Sequence, residues 1–377
     1  MPDITVSARS GAPQDTAADT RVVPLFEGEQ LAEAHLQELV SLGEAKPALR
    51  KVALEHEAAP GGGRRRVLIA GLGKRDELDS EKTRVAAAAV AGRAKELGAV
   101  SLSWATVPGV EAALVEGTLL ALYSFDRFKT KKKDDDEDSG GIESLEVTGD
   151  GVDEAEVSRG RVAAVAQNAA RDLQNLPANV ADPAFLAGRA QEIADGHDSL
   201  ELEILEREAI TSLGMGAFAA VAQGTPTEPR MIVLRYRGGE NGEHLGFVGK
   251  AVTFDTGGIS LKPGAKMSEM KFDMSGGAAV LEAMSAIAAL KLPVTITAVV
   301  PATENMPSGH AMKPGDIVTA MNGKTIEVNN TDAEGRLILA DALSYAVEQG
   351  VERIVDLATL TGAIIVALGS THAGLFS

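Results

Sequence analysis

The sequence contains no cysteine, which excludes disulfides, thiolate metal sites and cysteine nucleophiles. Any metal here must be held by oxygen and nitrogen ligands. Positive charge is also scarce: 36 Lys and Arg stand against 54 Asp and Glu, a net charge of −18, which disfavours nonspecific attraction to nucleic acid or anionic membrane. A polyanionic partner is therefore not expected. No apolar run reaches the length of a membrane span, and the opening MPDITVSARSGAPQDTAADT lacks the apolar core of a secretory leader. These absences fit a cytoplasmic protein.

What is present is enough for ordinary cores. With 377 residues, 45% of them hydrophobic, two domains are expected. Arg21 to Phe26, Ala48 to Glu55 and Val67 to Ala70 have strand character, and Gly71-Leu72-Gly73-Lys74 has the composition of a tight strand-to-helix turn. It lacks the third glycine and the Lys-Ser/Thr pair of a phosphate-binding loop. Ser80 to Leu97 is predicted to be a helix stopped by Gly98. Lys129 to Lys133 and Asp134 to Asp138 form adjacent blocks of opposite charge, expected as a solvated loop. These features predict a small α/β domain over residues 1–150.

Residues 151–377 form the second expected domain. Helical patterns at Glu154 to Leu173, Ala184 to Asp195, Ala209 to Ala222, Ser275 to Lys291 and Leu337 to Glu348 alternate with strand patterns. The strands are expected at Glu201 to Leu205, Arg230 to Tyr236, Gly246 to Phe254, Val294 to Pro301 and Arg353 to Leu357. Such alternation implies a mixed, mostly parallel sheet flanked by helices. Asn322-Gly323 marks a hairpin.

The chemistry-bearing residues gather where open α/β sheets carry their sites, at the carboxyl ends of strands. Asp255 follows the Gly246 to Phe254 strand and precedes two glycines. Lys250 sits inside that apolar strand, where a buried charge is costly; it is either ion-paired with an acid or a neutral amine ligating a metal. Lys262 follows in a loop, and Asp273, just before Ser275-Gly276-Gly277, is a helix cap or a ligand. In Asn330-Thr331-Asp332-Ala333-Glu334-Gly335-Arg336-Leu337, three charged residues recur at every second position. If this stretch is extended, Asp332, Glu334 and Arg336 share one face; the bland alternative is a solvated acidic turn. Four carboxylates and one amine suffice for two divalent ions about 3.5–4 Å apart. With no histidine in these segments, Zn, Mn, Mg and Co all remain open.

The segments Gly249 to Gly258, Met270 to Asp273, Asn330 to Leu337 and Asp356 to Ala363, in that order and spacing, closely resemble the cytosolic leucyl aminopeptidases, also called cytosol aminopeptidases. The resemblance implies a two-metal aminopeptidase that releases N-terminal leucine and other apolar residues from peptides. It implies Lys250, Asp255, Asp273, Asp332 and Glu334 as ligands of two Mn or Zn ions, with Asp255 and Glu334 touching both. Lys262 and Arg336 are implied as catalytic side chains, Arg336 holding a bicarbonate that shuttles the proton. Met270, Thr359 and Gly362 are implied to line the pocket for the first side chain, and the family assembles as a homo-hexamer. A relative specialised for cysteinylglycine would keep the same metals. Some bacterial relatives bind DNA, which the charge balance argues against. Family members continue well beyond the position of Ser377, which predicts a catalytic domain incomplete at its C-terminal end and leaves an inactive, metal-binding chain as an alternative.

Overall fold

The computed structural model describes residues 4–130, 141–239 and 243–377. The bulk of the expected charged loop, Lys131 to Asp138, lies outside them. The chain divides into two compact units, Met1–Asn168 and Ala169–Ser377.

The first unit contains β1 (Thr5–Arg9), β2 (Thr20–Phe26), α1 (Ala34–Ser41), β3 (Val52–Ala58), β4 (Arg64–Gly73), α2 (Ser80–Glu96), β5 (Ser101–Ala105), α3 (Glu111–Ala121), β6 (Ser144–Thr148) and the start of α4 (Glu154–Asn175). Its sheet runs β1-β6-β5-β2-β4-β3, parallel except for β3. Side chains of one strand alternate between faces, so Val67 and Ile69 pack beside Leu36 of α1, whereas Leu68 and Ala70 share a core with Val90 of α2 and Leu114 of α3. Of the expected turn at Gly71 to Lys74, the first three residues instead continue β4, which ends at Gly73. Gly71 is there for close approach: a Cβ on it would strike the carbonyl oxygen of Ala48, and its N–H donates to Lys51 O at 2.9 Å.

The second unit contains α5 (Pro183–Asp195), β7 (Leu200–Leu205), α6 (Arg207–Ser212), α7 (Gly216–Ala222), β8 (Arg230–Arg237), β9 (His244–Gly249), β10 (Ala251–Asp255), α8 (Ser275–Ala289), β11 (Thr295–Asn305), β12 (Ile317–Thr319), β13 (Thr325–Glu327), α9 (Glu334–Glu348), β14 (Arg353–Leu357) and α10 (Ala363–Leu368). The sheet order is β14-β9-β11-β8-β7, with β10 also on β11. β14, β9, β10 and β11 are mutually parallel, and β8 and β7 join antiparallel. Both faces are covered. Met231, Val233 and Val299 point into the layer of α6, α7 and α9; Ile232, Leu234, Ala298 and Val300 point into the layer of α5 and α8. The Asn322-Gly323 hairpin forms between β12 and β13, with Gly323 at φ +80°.

Three expectations are corrected. The single helix over Ala209 to Ala222 is two, because Gly214 adopts φ +73° and ends the first. The strand over Gly246 to Phe254 is broken at Lys250, whose N–H donates to Leu357 O on β14 and whose C=O accepts from Gly277 at the start of α8. The last long helix begins at Glu334, not Leu337.

That break is tightly packed. A Cβ on Gly276 would collide with the Leu357 carbonyl, which is backbone and cannot move aside, whereas Gly92 in the middle of α2 has open space around it. Gly276→Ala is accordingly expected to destabilise the protein by about 1–3 kcal/mol. Gly92→Ala is expected to stabilise it by about 0.5–1 kcal/mol. Thermal melts of the two variants beside the native protein check both signs.

Candidate metal centre

Four local features deliver charged side chains to one place. β10 ends at Asp255, and the turn beyond it passes through Gly257 (φ +88°) and Gly258 (φ +66°). A 3₁₀ segment, Met267–Met274, carries Asp273 to the start of α8. Asn330 accepts the Asp332 N–H on its side chain at 2.9 Å and tightens Thr331–Ala333 into a 3₁₀ turn. The helix α9 then starts with Glu334. The stretch from Asn330 is therefore a turn into a helix, not an extended segment, and the expected common face of Asp332, Glu334 and Arg336 does not form.

Asp255, Asp273 and Glu334 come together instead, each buried, with one oxygen apiece lying within 4.8 Å of the others. Lys250, 2% exposed, reaches them from the break between β9 and β10. Its Nζ lies 2.7 Å from Asp273 Oδ2 and 2.8 Å from Glu334 Oε1, and it donates to Thr359 O at 3.3 Å. Lys262 Nζ lies 2.6 Å from Asp255 Oδ2 and also contacts Asp332 Oδ1. Lys250 therefore stands between two acids, a position from which either an ion pair or a ligating amine is within reach. Asp273 does not cap α8, whose N-cap position is Met274; its Oδ1 accepts from Thr359 Oγ1 at 2.8 Å.

The electrostatics follow from burial. Burial raises the Asp273 pKa and so does the Glu334 charge, against the pull of Lys250. Burial alone would lower the Lys250 pKa, but Asp273 and Glu334 outweigh it and hold the amine above its ordinary value. Lys262 behaves likewise between Asp255 and Asp332. Two ammonium groups therefore supply the positive charge that this acidic cluster requires.

Arg336 stands apart from the carboxylate trio. It is exposed on α9 and, among the described residues, makes no ion pair. Met270 is half-buried in the 3₁₀ segment, and Thr359 and Gly362 lie on the exposed stretch between β14 and α10. Two neighbours of the cluster were not anticipated from sequence. Asn305, at the end of β11, donates its side-chain amide to Asp255 Oδ1 at 2.8 Å and reaches Glu334 Oε2 at 3.4 Å. Gly335 leaves room for Lys250, because a Cβ there would lie 2.7 Å from the lysine Cε and Nζ. The available signal was a polar Glu304-Asn305 pair closing a strongly apolar run.

The donor set fits hard divalent cations: carboxylates and one amine, no sulfur. One detail favours that fit. Asp273 Oδ2 is buried against Lys250 Nζ at 2.7 Å, and a carboxylate oxygen with a single donor keeps a lone pair for a ligand. A second grouping, Glu33, His35 and Glu57 in the first unit, does not fit. Arg21 donates to both oxygens of Glu33 and of Glu57, and Arg65 donates to Glu57 Oε1 at 2.7 Å. Guanidinium groups stay charged at all accessible pH, so these oxygens are already satisfied.

A family model described as the cytosol aminopeptidase family, catalytic domain, matches residues 168–377, and the model of that family's N-terminal domain matches 22–132. A probable cytosol aminopeptidase of Solibacter usitatus is 48% identical over 369 residues, covering 96% of this chain and 75% of the relative. One of Syntrophotalea carbinolica is 50% identical over 332 residues, covering 83% and 65%. Among solved structures, a mutant of tomato leucine aminopeptidase matches with a TM-score of 0.82 and 35% identity, over 98% of this chain and 76% of that one. The bottromycin maturation enzyme BotP in complex with Mn matches at 0.79 and 33%, over 94% and 75%.

Removing Lys250 tests the charge balance directly. Lys250→Met leaves Asp273 and Glu334 buried without their shared cation, and breaking such a pair costs about 3–5 kcal/mol. The melting temperature of the metal-free variant is expected to fall well below native, and added Mn²⁺ is expected to recover part of the loss. A metal-free melt equal to native would show that the lysine does not hold the cluster together.

Proposed function

The chain belongs to the cytosol aminopeptidase family and is a hydrolase of that family's aminopeptidase type, and we propose that its buried carboxylates hold two divalent metal ions at which N-terminal residues are cleaved from peptides. The observation that carries this reading is the convergence of Asp255, Asp273 and Glu334 in one buried cluster with Lys250. Lys250, Asp255, Asp273, Asp332 and Glu334 are the ligands in this proposal, and Mn or Zn the ions. Bound there, the ions supply Lewis acidity, polarising the scissile carbonyl and making a water acidic enough to attack near neutral pH.

The chain's own residues divide the remaining work. Lys262, now paired with Asp255 and Asp332, would with cations on those acids be available as a donor for the oxyanion that develops on the scissile carbonyl. Arg336 is a permanently charged side chain in the first turn of α9, suited to holding a bicarbonate as the proton carrier. No carboxylate of the cluster is spare for that base role if all of them ligate. Asp273 marks the end of the site where the substrate's free α-amine is recognised, which restricts cleavage to the first residue. Met270, Thr359 and Gly362 line the pocket for that residue's side chain. A preference for leucine-like residues is part of the proposal, with discrimination of about 1–3 kcal/mol per methylene. Homo-hexameric assembly belongs to the same reading. Relatives named for the cytosol support a cytoplasmic location, and among the described residues no helix is long and apolar enough to cross a membrane.

Hydrolysis of leucyl p-nitroanilide with added Mn²⁺ or Zn²⁺ tests the proposal. Native protein is expected to turn over only with metal. Glu334→Ala is expected to lose at least about 100-fold, since it removes a ligand rather than a supporting contact, and N-acetyl-leucyl p-nitroanilide is expected to be refused. A metal-independent rate, or one unchanged in Glu334→Ala, would overturn it. Competing leucyl-glycine against cysteinyl-glycine at equal concentration separates the broad peptidase from the specialised dipeptidase.

A further inference from the structure

Asn305 stands at the carboxyl end of β11, 2% exposed, and its side-chain nitrogen faces only acceptors. Those are Asp255 Oδ1 at 2.8 Å, Thr331 O at 3.1 Å and Glu334 Oε2 at 3.4 Å. With carboxylates and a carbonyl on every side, the amide must present its NH₂ group there, because the reversed orientation would set its oxygen against theirs. One neutral group thus spans β10, the turn before α9 and the first residue of α9.

The backbone of Asn305 is pinned as firmly as its side chain. Its carbonyl accepts the Thr256 N–H at 3.0 Å and the Thr256 hydroxyl at 2.8 Å, and the residue is opposite Asp255 in the β10–β11 ladder. Gly258, at φ +66°, makes room for the amide oxygen: a Cβ there would lie 2.8 Å from it. The facing turn is tied down independently. The Thr331 hydroxyl donates to Gly257 O at 2.6 Å and accepts from the Ser260 N–H at 2.8 Å.

We propose that Asn305 is a positioning residue of the metal centre, whose side-chain amide sets Asp255 and Glu334 relative to one another before any cation arrives and keeps them there afterwards. This rests on the two-metal reading above. The contrast with the lysines carries it. Lys250 and Lys262 reach the same carboxylates as ammonium groups, and an ammonium must give up its proton or move aside before a cation takes its place. An amide has no net charge to repel the ion, and a carboxylate oxygen that accepts its N–H keeps a lone pair for another partner. Among the described residues, Asn305 is the side chain that bonds two of the clustered carboxylates without competing in this way. Fixed ligand orientation lowers the ordering cost of binding, and loss of such supporting hydrogen bonds typically weakens metal affinity roughly 10–100-fold.

The test is calorimetric titration of Mn²⁺ into the metal-free full chain, for native protein, Asn305→Ala, Asn305→Ser and Thr303→Val. Thr303 is fully buried on the same strand and touches none of the carboxylates, so it controls for generic damage to β11. Asn305→Ala is expected to bind Mn²⁺ roughly 10–100-fold more weakly, Asn305→Ser to lie between it and native, and Thr303→Val to match native. Leucyl p-nitroanilide turnover in Asn305→Ala should be low at limiting Mn²⁺ and rise towards native at saturation. A purely structural role would lower the metal-free melting temperature and leave affinity unchanged. Native affinity in Asn305→Ala overturns the proposal; should that variant not fold, native affinity in Asn305→Ser does so. If native protein itself takes up no Mn²⁺, the two-metal reading falls first and this proposal with it.

Discussion

The second unit depends on the neutralisation of acidic groups that its fold forces together. Asp255, Asp273 and Glu334 are each less than one-tenth exposed and come from a strand end, a 3₁₀ segment and a helix start. Unscreened by water, such carboxylates repel one another strongly. Lys250 and Lys262 relieve that repulsion by each bridging two acids. Burial, with the Glu334 charge beside it, holds the Asp273 carboxyl above the usual carboxylate range despite Lys250. Three carboxylates and two ammonium groups so enclosed leave a donor set of oxygen and nitrogen, the type that suits hard divalent cations.

The surrounding architecture serves that arrangement. Lys250 can reach the cluster only because the strand pairing stops at its own peptide, which turns its N–H to β14 and its C=O to α8. The approach of those elements requires residues without side chains, and Gly249, Gly276, Gly277 and Gly335 supply them. Residues that look like punctuation along the chain are thus the packing surfaces through which a charged side chain is threaded into the interior. Helices on both faces of the sheet exclude water from the same region, which gives each charge contact its strength. The Glu33–His35–Glu57 grouping shows the opposite outcome from similar residue types. There two guanidinium groups saturate the acids, and a salt-bridged core results instead of a ligand site.

Much of the fold could be read from hydrophobic period. The β14 strand appears at Arg353–Leu357 as expected, α2 ends before Gly98, and the Asn322-Gly323 hairpin is present. The errors fell where backbone hydrogen bonds override local pattern. Lys250 interrupts an apolar run that reads as one strand, and Gly214 divides a helix. The Asn330 side chain converts an apparently alternating segment into a turn. In the last case the charged residues were recognised but their geometry was not: Glu334 joins Asp255 and Asp273, Asp332 turns to Lys262, and Arg336 faces solvent.

By itself the sequence determined the chemistry available: no thiol, an excess of acid, and carboxylates and lysines in short segments flanked by glycine. Those properties are local, so they survive without knowledge of the fold, and they carried the family resemblance. Only the tertiary structure decided which acids meet, that Lys250 and Lys262 each reach two of them, and that Asn305 links Asp255 to Glu334. These contacts join residues up to 84 positions apart, as between Lys250 and Glu334, and are made where β10 and β11 end side by side. No periodicity along a single strand or helix encodes such a meeting.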